Sequence, residues 1–302
     1  MRFSCLMALC SVLLGGVARA EPRVLLGVSV THANDIIGDG QDRWRSATVD
    51  TSYFFGRKNM LELPTRFGQL IELRARMEMI TPANLALPFP VNDRPYAGVL
   101  SLGVASHMRR GTSAQSIGFD LVMIGPLTGV SDIQTWVHTF MNKINPQILA
   151  DQLPDAVYPT LSYEYAKIFT AGPASLRPFA DAQIGVETFI RAGVDLTLAR
   201  RPAQGIRLRN SLTGQRVPAL NPMGNRQLSF GLGADVAYVA SSAYLPASRS
   251  VTPSPLRTRL RAGVSYQSGK FDLLYGLSWH SPEFTTQREG QVIGTVSLGV
   301  RF

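Results

Sequence analysis

The sequence predicts an all-β fold, a transmembrane antiparallel up-and-down β-barrel of about 12 strands with a short helix in an extracellular loop. Three observations predict it. The chain opens with the pattern of an export signal, contains about twelve segments of alternating polarity, and ends in an alternating strand closed by Phe302. Each segment is near the ten residues that a tilted membrane-spanning strand needs.

The first 20 residues have the pattern of a secretory signal peptide, with an apolar run followed by an A-x-A site that ends at Ala20. We therefore expect export to the bacterial outer membrane, cleavage after Ala20, and one β-barrel domain over residues 21–302. Both cysteines, Cys5 and Cys10, fall in the signal. The mature chain is thus expected to lack disulfide and thiol chemistry.

The chain is basic, with a formal net charge of +9, and nearly all of its basic residues are arginines. Arginine suits bidentate contact with phosphate. We find no nucleic-acid-binding module, so a phosphorylated membrane lipid is the nearer partner, and we expect a membrane-embedded monomer. Simple solubility and anchoring at the membrane interface is the alternative explanation of the charge.

The alternating segments predict both the strands and the two ends of the barrel. In the run from Leu256 to Tyr266, three arginines (257, 259 and 261) share one face, which favours a polar lumen. Links such as 267–269 are short and turn-like, whereas the links 81–95, 125–158, 201–225 and 241–254 are long and suit the outer end. The strand candidates are residues 23–33, 45–56, 67–80, 96–108, 114–124, 159–169, 175–187, 188–200, 226–240, 255–267, 270–280 and 291–302.

Aromatic residues cluster near the ends of these strand candidates, as the interfacial girdles of a membrane barrel do. The closing strand alternates a mostly apolar face with a small or polar one. The clustered aromatic residues are Tyr53, Tyr96, Tyr163, Tyr165, Tyr238, Tyr244, Tyr266, Tyr275 and Trp279.

Within the link 125–158, residues 131–145 predict an amphipathic helix. Ser131 and Asp132 are good N-cap residues. Histidine 138 lies on the polar flank of this helix, which makes it a candidate catalytic residue, although a lone histidine on a helix is more often structural. The apolar stripe at helical period is Ile133, Trp136, Val137, Phe140, Met141 and Ile144.

Two further motifs lie at strand ends. Asn34-Asp35 closes the first strand. The pair is either a routine turn dipeptide or a source of oxygen ligands for a Ca²⁺ site. The segment 92–98, NDRPYAG, opens the fourth strand and predicts a buried Asp93–Arg94 pair in a proline-set turn. The sequence contains no HExxH, GxSxG or P-loop motif, so it signals no zinc protease, serine triad or nucleotide site.

The ordered set of motifs resembles the LpxR family of outer-membrane lipid A 3′-O-deacylases from the first strand to Phe302. The most specific motif is the DRPYAG of residues 93–98. The other landmarks are Asn34-Asp35, Asp42-Arg43, Ile124-Gly125-Pro126, Val137-His138, Asp151-Gln152-Leu153, Leu161-Ser162-Tyr163-Glu164 and the closing residues 296–302.

This resemblance implies a twelve-stranded barrel whose active site lies between the barrel wall and a loop helix. It implies Ca²⁺-dependent ester hydrolysis that removes the 3′-linked acyloxyacyl chain of lipid A in lipopolysaccharide. His138 matches the catalytic histidine that activates water, and Asn34 and Asp35 match the Asn-Asp pair, with Asp35 the metal-linked carboxylate. The family's active-site threonine is matched by Ser46, or by Thr48 if the alignment shifts by two.

One departure from the family separates the functional hypotheses. Ile144 stands six positions after His138, where the family has a glutamate. The leading hypothesis is a hydrolase of carboxylic esters, with His138, Asn34, Asp35 and Ser46 as catalytic residues and Asp35 and Asn34 as Ca²⁺ ligands. The alternative is a non-catalytic outer-membrane barrel of the same fold, lipid-binding or structural, and a general porin is a weaker third.

Overall fold

The computed structural model describes residues 22–85, 92–139, 146–200, 205–220, 226–247 and 251–302. The predicted signal peptide and its cleavage site lie outside the described residues. No helix within the described ranges is long and apolar enough to span a membrane.

The chain forms a closed antiparallel barrel of twelve strands, as predicted. Strand β1 (Val24–Asn34) pairs with the closing strand β15 (Gln291–Arg301), and β6 (Ala156–Lys167) pairs with β8 (Ala174–Ile184) to complete the cylinder. A three-residue strand, β7 (Phe169–Ala171), follows β6 and pairs with the start of β8, and β10 (Ile206–Arg209) and β11 (Arg216–Leu220) form a separate hairpin. The barrel strands are β1 (Val24–Asn34), β2 (Trp44–Gly56), β3 (Ile71–Thr81), β4 (Ala97–Arg110), β5 (Ser113–Ile124), β6 (Ala156–Lys167), β8 (Ala174–Ile184), β9 (Glu187–Ala199), β12 (Gln227–Ser242), β13 (Leu256–Ser268), β14 (Phe271–His280) and β15 (Gln291–Arg301).

Side chains alternate between lipid and lumen along each strand. In β15, Val296 and Leu298 are exposed on the outer wall, whereas Thr295 and Ser297 are fully buried inside. This confirms the two faces predicted for the closing strand. Seven of the nine aromatic residues predicted for the girdles are exposed, but Tyr96 and Tyr244 are buried. These two residues lie in apolar clusters beneath the loops rather than on the lipid face.

The barrel has two unlike ends. The loop end carries the connections 35–43, 82–96, 125–155, 185–186, 243–255 and 281–290, and the terminal end carries the other connections, the start of β1 and the end of β15. Three of the four long links lie at the loop end, as predicted. The assignment of 201–225 to that end was wrong, because β9 descends and β12 ascends, so their connection lies at the terminal end.

The hairpin β10–β11 of this connection folds back into the lumen. The hydroxyl of Ser29 on β1 donates to the Pro218 carbonyl at 2.9 Å, and Arg209 forms ion pairs with Glu164 and Asp195 on the inner wall. The apolar residues of the hairpin pack in one cluster with inward-facing barrel residues such as Phe54. The predicted strands did not include this segment, and its Arg207 and Arg209 pair with acids far away in the sequence. The hairpin therefore closes the lumen at the terminal end.

The three arginines of β13 face the lumen, which confirms that prediction. Arg259 and Arg261 both pair with Asp235 on β12, and Arg257 pairs with Glu187 at 2.9 Å. Paired charges of this kind satisfy the inner wall without contact with lipid. A cavity of about 230 Å³ remains above the hairpin, and its lining includes charged residues such as Arg74, Glu78 and Asp235.

The loop-end helices begin with a 3-10 turn at Pro126–Thr128, followed by α1 (Val130–Thr139) and α2 (Pro146–Ala150). Ser131 and Asp132 are not N-cap residues, because α1 already begins at Val130. The hydroxyl of Thr128 accepts the Val130 N–H at 3.3 Å and caps this helix end instead. Of the predicted apolar stripe, Ile133 is exposed. The side chains of the other stripe residues lie outside the described part of the chain.

Candidate functional site at the barrel rim

The turn after β1 holds the first two predicted site residues. The Asn34 side chain accepts the backbone N–H of Ile36 at 2.6 Å, which closes an Asx turn. Asp35 is fully buried behind this turn. Its Oδ2 accepts the Arg43 backbone N–H at 2.7 Å and the Gln291 amide at 3.1 Å, whereas its Oδ1 is buried without a partner. A buried carboxylate oxygen without a partner is costly and points to a missing cation or donor.

Strand β2 brings a hydroxyl to the same place. Its register shifts between Arg45 and Ala47, so Ser46 is the extra residue of a β-bulge. The Asp35 N–H donates to the Ser46 carbonyl at 3.2 Å, and the Ser46 hydroxyl donates to Asp42. Asn34, Asp35 and Ser46 are therefore brought together by one turn and one bulge.

Thr48, the alternative site hydroxyl, lies two residues further along β2, opposite Ala33 of β1 and Glu78 of β3. Its hydroxyl is buried without a hydrogen-bond partner. Asp35 itself forms no described hydrogen bond with Thr48, whereas its backbone contacts Ser46 directly. The geometry thus associates Ser46, rather than Thr48, with the turn.

The electrostatics of the turn disfavour an isolated negative charge at Asp35. Burial raises the pKa of Asp35 to about 7, against the lowering effect of the Arg43 N–H. The nearby carboxylates of Asp42 and Asp39 raise this pKa further. Both neighbouring acids therefore oppose ionisation of Asp35, and among the described residues no cationic side chain pairs with it.

Gln291, at the start of β15, links the turn to the closing strand. Its amide donates to Asp35 and to the Arg43 carbonyl at 2.6 Å, and its carbonyl accepts the Arg45 N–H at 3.2 Å. Sequence reasoning missed this residue, which is 256 positions from Asp35. Only closure of the barrel brings the two together, so no local signal could have identified it.

Helix α1 lies on the outer wall beside this rim. Gly98 has the same parity as the exposed Leu102 of β4, so it faces outward, and a side chain at Gly98 would collide with Thr128 and Val130. The start of α1 therefore rests on the outer surface of β4, two strands from β2. His138 lies one residue before the end of α1. Its side chain is outside the described part of the chain.

The segment 92–98 holds the loop end together, but the predicted Asp93–Arg94 pair does not form. Asp93 accepts the Trp44 indole N–H at 3.2 Å and the Ala83 N–H at 2.6 Å. Arg94 is fully buried and pairs with Glu283 in the β14–β15 connection. Adjacent residues in a turn point in different directions, so each finds a partner from another loop.

A second constellation lies in the lumen. His107 Nδ1 is 2.8 Å from the Ser116 hydroxyl, and its Nε2 is 2.9 Å from Glu72. This Ser–His–Glu chain is near the terminal end, and Glu72 also accepts the Ser52 hydroxyl at 2.6 Å. The inserted β10–β11 hairpin closes this end of the lumen. We therefore assign the three hydrogen-bonded side chains a structural role in the inner wall.

The oxygen atoms of the rim turn are of the kinds that bind a cation such as Ca²⁺. Ca²⁺ takes carboxylate, amide and carbonyl oxygens, and Asp35 Oδ1 is a buried carboxylate oxygen without a partner. Within the described residues, no three His, Cys, Asp or Glu side chains cluster around one point. Any Ca²⁺ there would need backbone and amide oxygens in addition to Asp35.

Among solved structures, that of LpxR supports this architecture. The solved structure of LpxR from Salmonella typhimurium matches with a TM-score of 0.78 at 15% identity, over 91% of this chain and 100% of that one. An outer membrane channel from Pseudomonas putida F1 matches with a TM-score of 0.47 at 10% identity, over 95% and 99% of the two chains. The KdgM porin matches with a TM-score of 0.42 at 7% identity, over 92% and 99%.

No curated protein matches the sequence. The family described as outer membrane protein LpxR, however, matches residues 3–302, which is nearly the whole chain. This protein is therefore an outer-membrane β-barrel that belongs to the LpxR family.

Proposed function

We propose that this chain is a lipid A 3′-O-deacylase that removes the 3′-linked acyloxyacyl chain of lipid A by Ca²⁺-dependent ester hydrolysis. The observation that carries the proposal is the partnerless, fully buried Oδ1 of Asp35 beside Asn34 at the rim. Membership of the LpxR family supports the same reaction. The rim is continuous with the lipid-facing wall, where an acylated lipid can reach it.

The reaction needs a base, a nucleophilic water and a group that stabilises the oxyanion. Ca²⁺ held by Asp35 and Asn34 would supply the positive charge for that oxyanion. His138 would accept a proton from water as the water oxygen attacks the ester carbonyl carbon. The ester C–O bond then breaks, the proton passes to the sugar oxygen, and a free acid and an alcohol are released. Ser46 would assist by holding Asp42 beside the turn.

Two other functions predict different results. A non-catalytic barrel of the same fold is favoured by Ile144, which replaces the acid that the family carries six residues after the histidine. A general porin needs an open lumen, whereas here the β10–β11 hairpin packs against the inner wall through Phe54 and Glu164.

The test is mass spectrometry of lipid A from cells that express the wild type, His138→Ala, or the control Asp132→Ala, an exposed residue of the same helix. We expect wild type and control to remove the 3′ acyloxyacyl group, and His138→Ala to leave it in place. Purified wild type should lose activity in chelator and regain it with Ca²⁺. Unshortened lipid A from wild-type cells, at confirmed expression, would favour the non-catalytic barrel.

A further inference from the structure

The connection 35–43 does not extend from the rim but folds back over the outer wall. Gly294 of β15 has the same parity as the exposed Val296, so it faces outward. A side chain at Gly294 would collide with Ile37, and one at Gly38 would collide with the Val292 backbone. Two glycines therefore allow the connection to lie directly against the lipid-facing side of β15.

Hydrogen bonds fix it in that position. The hydroxyl of Tyr275, an outward-facing residue of β14, donates to the Ile37 carbonyl at 3.2 Å. The Asp39 N–H donates to the Val292 carbonyl at 3.2 Å, and the Val292 N–H donates to Asp39 Oδ2 at 3.0 Å. The segment is thus held at several points to strands β14 and β15.

The segment presents two large apolar side chains beside the site. Ile36 is 55% exposed and Ile37 is 37% exposed. They continue the apolar outer wall formed by exposed residues such as Val30, Val296 and Tyr275. The hydrogen bond between the Ile36 N–H and the Asn34 side chain joins this pair directly to the site. We call Ile36 and Ile37 the lip.

The lip and helix α1 lie on opposite sides of the site. The lip covers β14 and β15, whereas the start of α1 rests on β4, and the outer rim of β1 and β2 lies between them. Outward positions of β1 in this interval are occupied by Asn34 and His32, which share the parity of the exposed Val30. A lipid that approaches this interval through the membrane would contact Asn34 and His32, with helix α1 on one side and the lip on the other.

We propose that the lip binds the hydrocarbon of the acyl chain that is cleaved and positions its ester at Asn34 and Asp35. This inference rests on the proposed function for the identity of the lipid. The occupant is an acyl chain of lipid A because the lip is continuous with the membrane-facing surface and contains no charged side chain. Burial of hydrocarbon against Ile36 and Ile37 would favour longer chains over shorter ones.

Photo-cross-linking tests the lip without requiring turnover. A benzoylphenylalanine replaces Ile36 in one variant and Ile184 in a control, which is 67% exposed and also lies at the loop end, on β8. Both proteins are placed in vesicles that contain lipid A and phosphatidylethanolamine. We expect the ratio of cross-linked lipid A to phosphatidylethanolamine to be about tenfold higher at position 36 than at 184. Equal ratios would overturn the lip.

Deacylation assays on the wild type and on serine variants separate the two proposals. The Ile36→Ser/Ile37→Ser variant should lower kcat/KM about tenfold for long-chain lipid A but little for a short-chain analogue, unlike Ile184→Ser. An unchanged preference for chain length would also contradict the lip. If the wild type does not deacylate lipid A but the enriched cross-link forms, the lip stands and the proposed enzyme fails.

Discussion

Asp35 at the rim and Asp235 in the lumen are both buried carboxylates, but their surroundings differ. Asp235 accepts Arg259 at 3.0 and 3.2 Å, and it also pairs with Arg191 and Arg261. Asp35 Oδ2 accepts hydrogen bonds from a backbone N–H and a side-chain amide, whereas Oδ1 has no partner. The charges that raise its pKa belong to two further acids, Asp42 and Asp39. In the lumen, arginine replaces the lost solvation, whereas at the rim that compensation is incomplete.

This difference separates charges that are neutralised within the barrel from a buried charge that is not. The lumen needs polar residues because strands alternate and the lipid side is apolar, so its acids and arginines pair with each other. The loop end contains such pairs too, since burial opposes ionisation of Glu283 but Arg45, Arg94 and Arg257 hold its pKa well below the usual range. No described ion pair joins Asp35 to that network, which is why we propose a bound cation as its partner.

The largest expected effect comes from Asp35→Asn. Loss of the carboxylate should lower kcat/KM by roughly 10²–10³-fold, about 3–4 kcal/mol, because the oxyanion would lose its stabilising cation. Stability in chelator should not fall, because the substitution removes a buried charge without an ionic partner. Activity assays and urea unfolding in detergent micelles measure the two quantities.

A second readout makes this prediction independent of turnover. Ca²⁺ should raise the unfolding midpoint of the wild type, because a ligand that binds only the folded state stabilises it, and it should not raise that of Asp35→Asn. A variant that keeps wild-type activity and the same Ca²⁺-dependent stabilisation would show that Asp35 is not the cation ligand.

Asp235→Asn should give the opposite result. It leaves Arg259 and Arg261 buried without a full counter-charge, which we expect to cost about 3 kcal/mol of unfolding free energy. Activity per folded molecule should be unchanged, because the residue lies in the lumen. Urea unfolding of the single variant and of Asp235→Asn/Arg259→Met measures the coupling, and the double variant should recover part of the loss. Equal stability of Asp235→Asn and wild type would remove the contrast with the rim.

The barrel could be predicted from the sequence because its determinants are local. Alternation with period two reveals each strand and also assigns Arg257, Arg259 and Arg261 to the lumen. The hairpin β10–β11 could not be predicted, because its composition is that of a solvated loop and its partners, such as Glu164, come from distant strands. The pairing of Arg94 with Glu283 rather than Asp93 was missed for the same reason.

The site was only partly predictable. Asn34 and Asp35 follow from their place at the end of β1 and from the family resemblance, but the partnerless oxygen of Asp35 depends on three-dimensional packing. The bulge that brings Ser46 to the turn has no sequence signature here. Gln291 is adjacent to Asp35 only because the last strand pairs with the first. A property of the closed barrel cannot be derived from spacing along the chain.

The smallest effect is expected from Gln291→Leu, which tests whether the rim needs its polar support. The Gln291 amide contacts Oδ2 of Asp35 and not the partnerless Oδ1, so it orients the carboxylate. It also hydrogen-bonds to the backbones of Arg43 and Arg45. Residues that orient metal ligands typically contribute 10–100-fold in affinity or activity, or about 1.4–2.8 kcal/mol. We therefore expect the Ca²⁺ concentration for half-maximal activity to rise by roughly that factor.

The matched control is Gln267→Leu, because Gln267 is a buried glutamine at the terminal end of β13, away from the rim. Both substitutions remove a buried amide, so a purely structural role predicts similar losses of stability and no change in Ca²⁺ dependence. A shift in half-saturation for Gln291→Leu alone would identify Gln291 as a positioning residue of the rim site. If both variants lose similar stability and keep the wild-type Ca²⁺ dependence, Gln291 belongs with the structural polar groups of the lumen. Asp35 would then be the only one of these two hydrogen-bonded residues that acts on the cation.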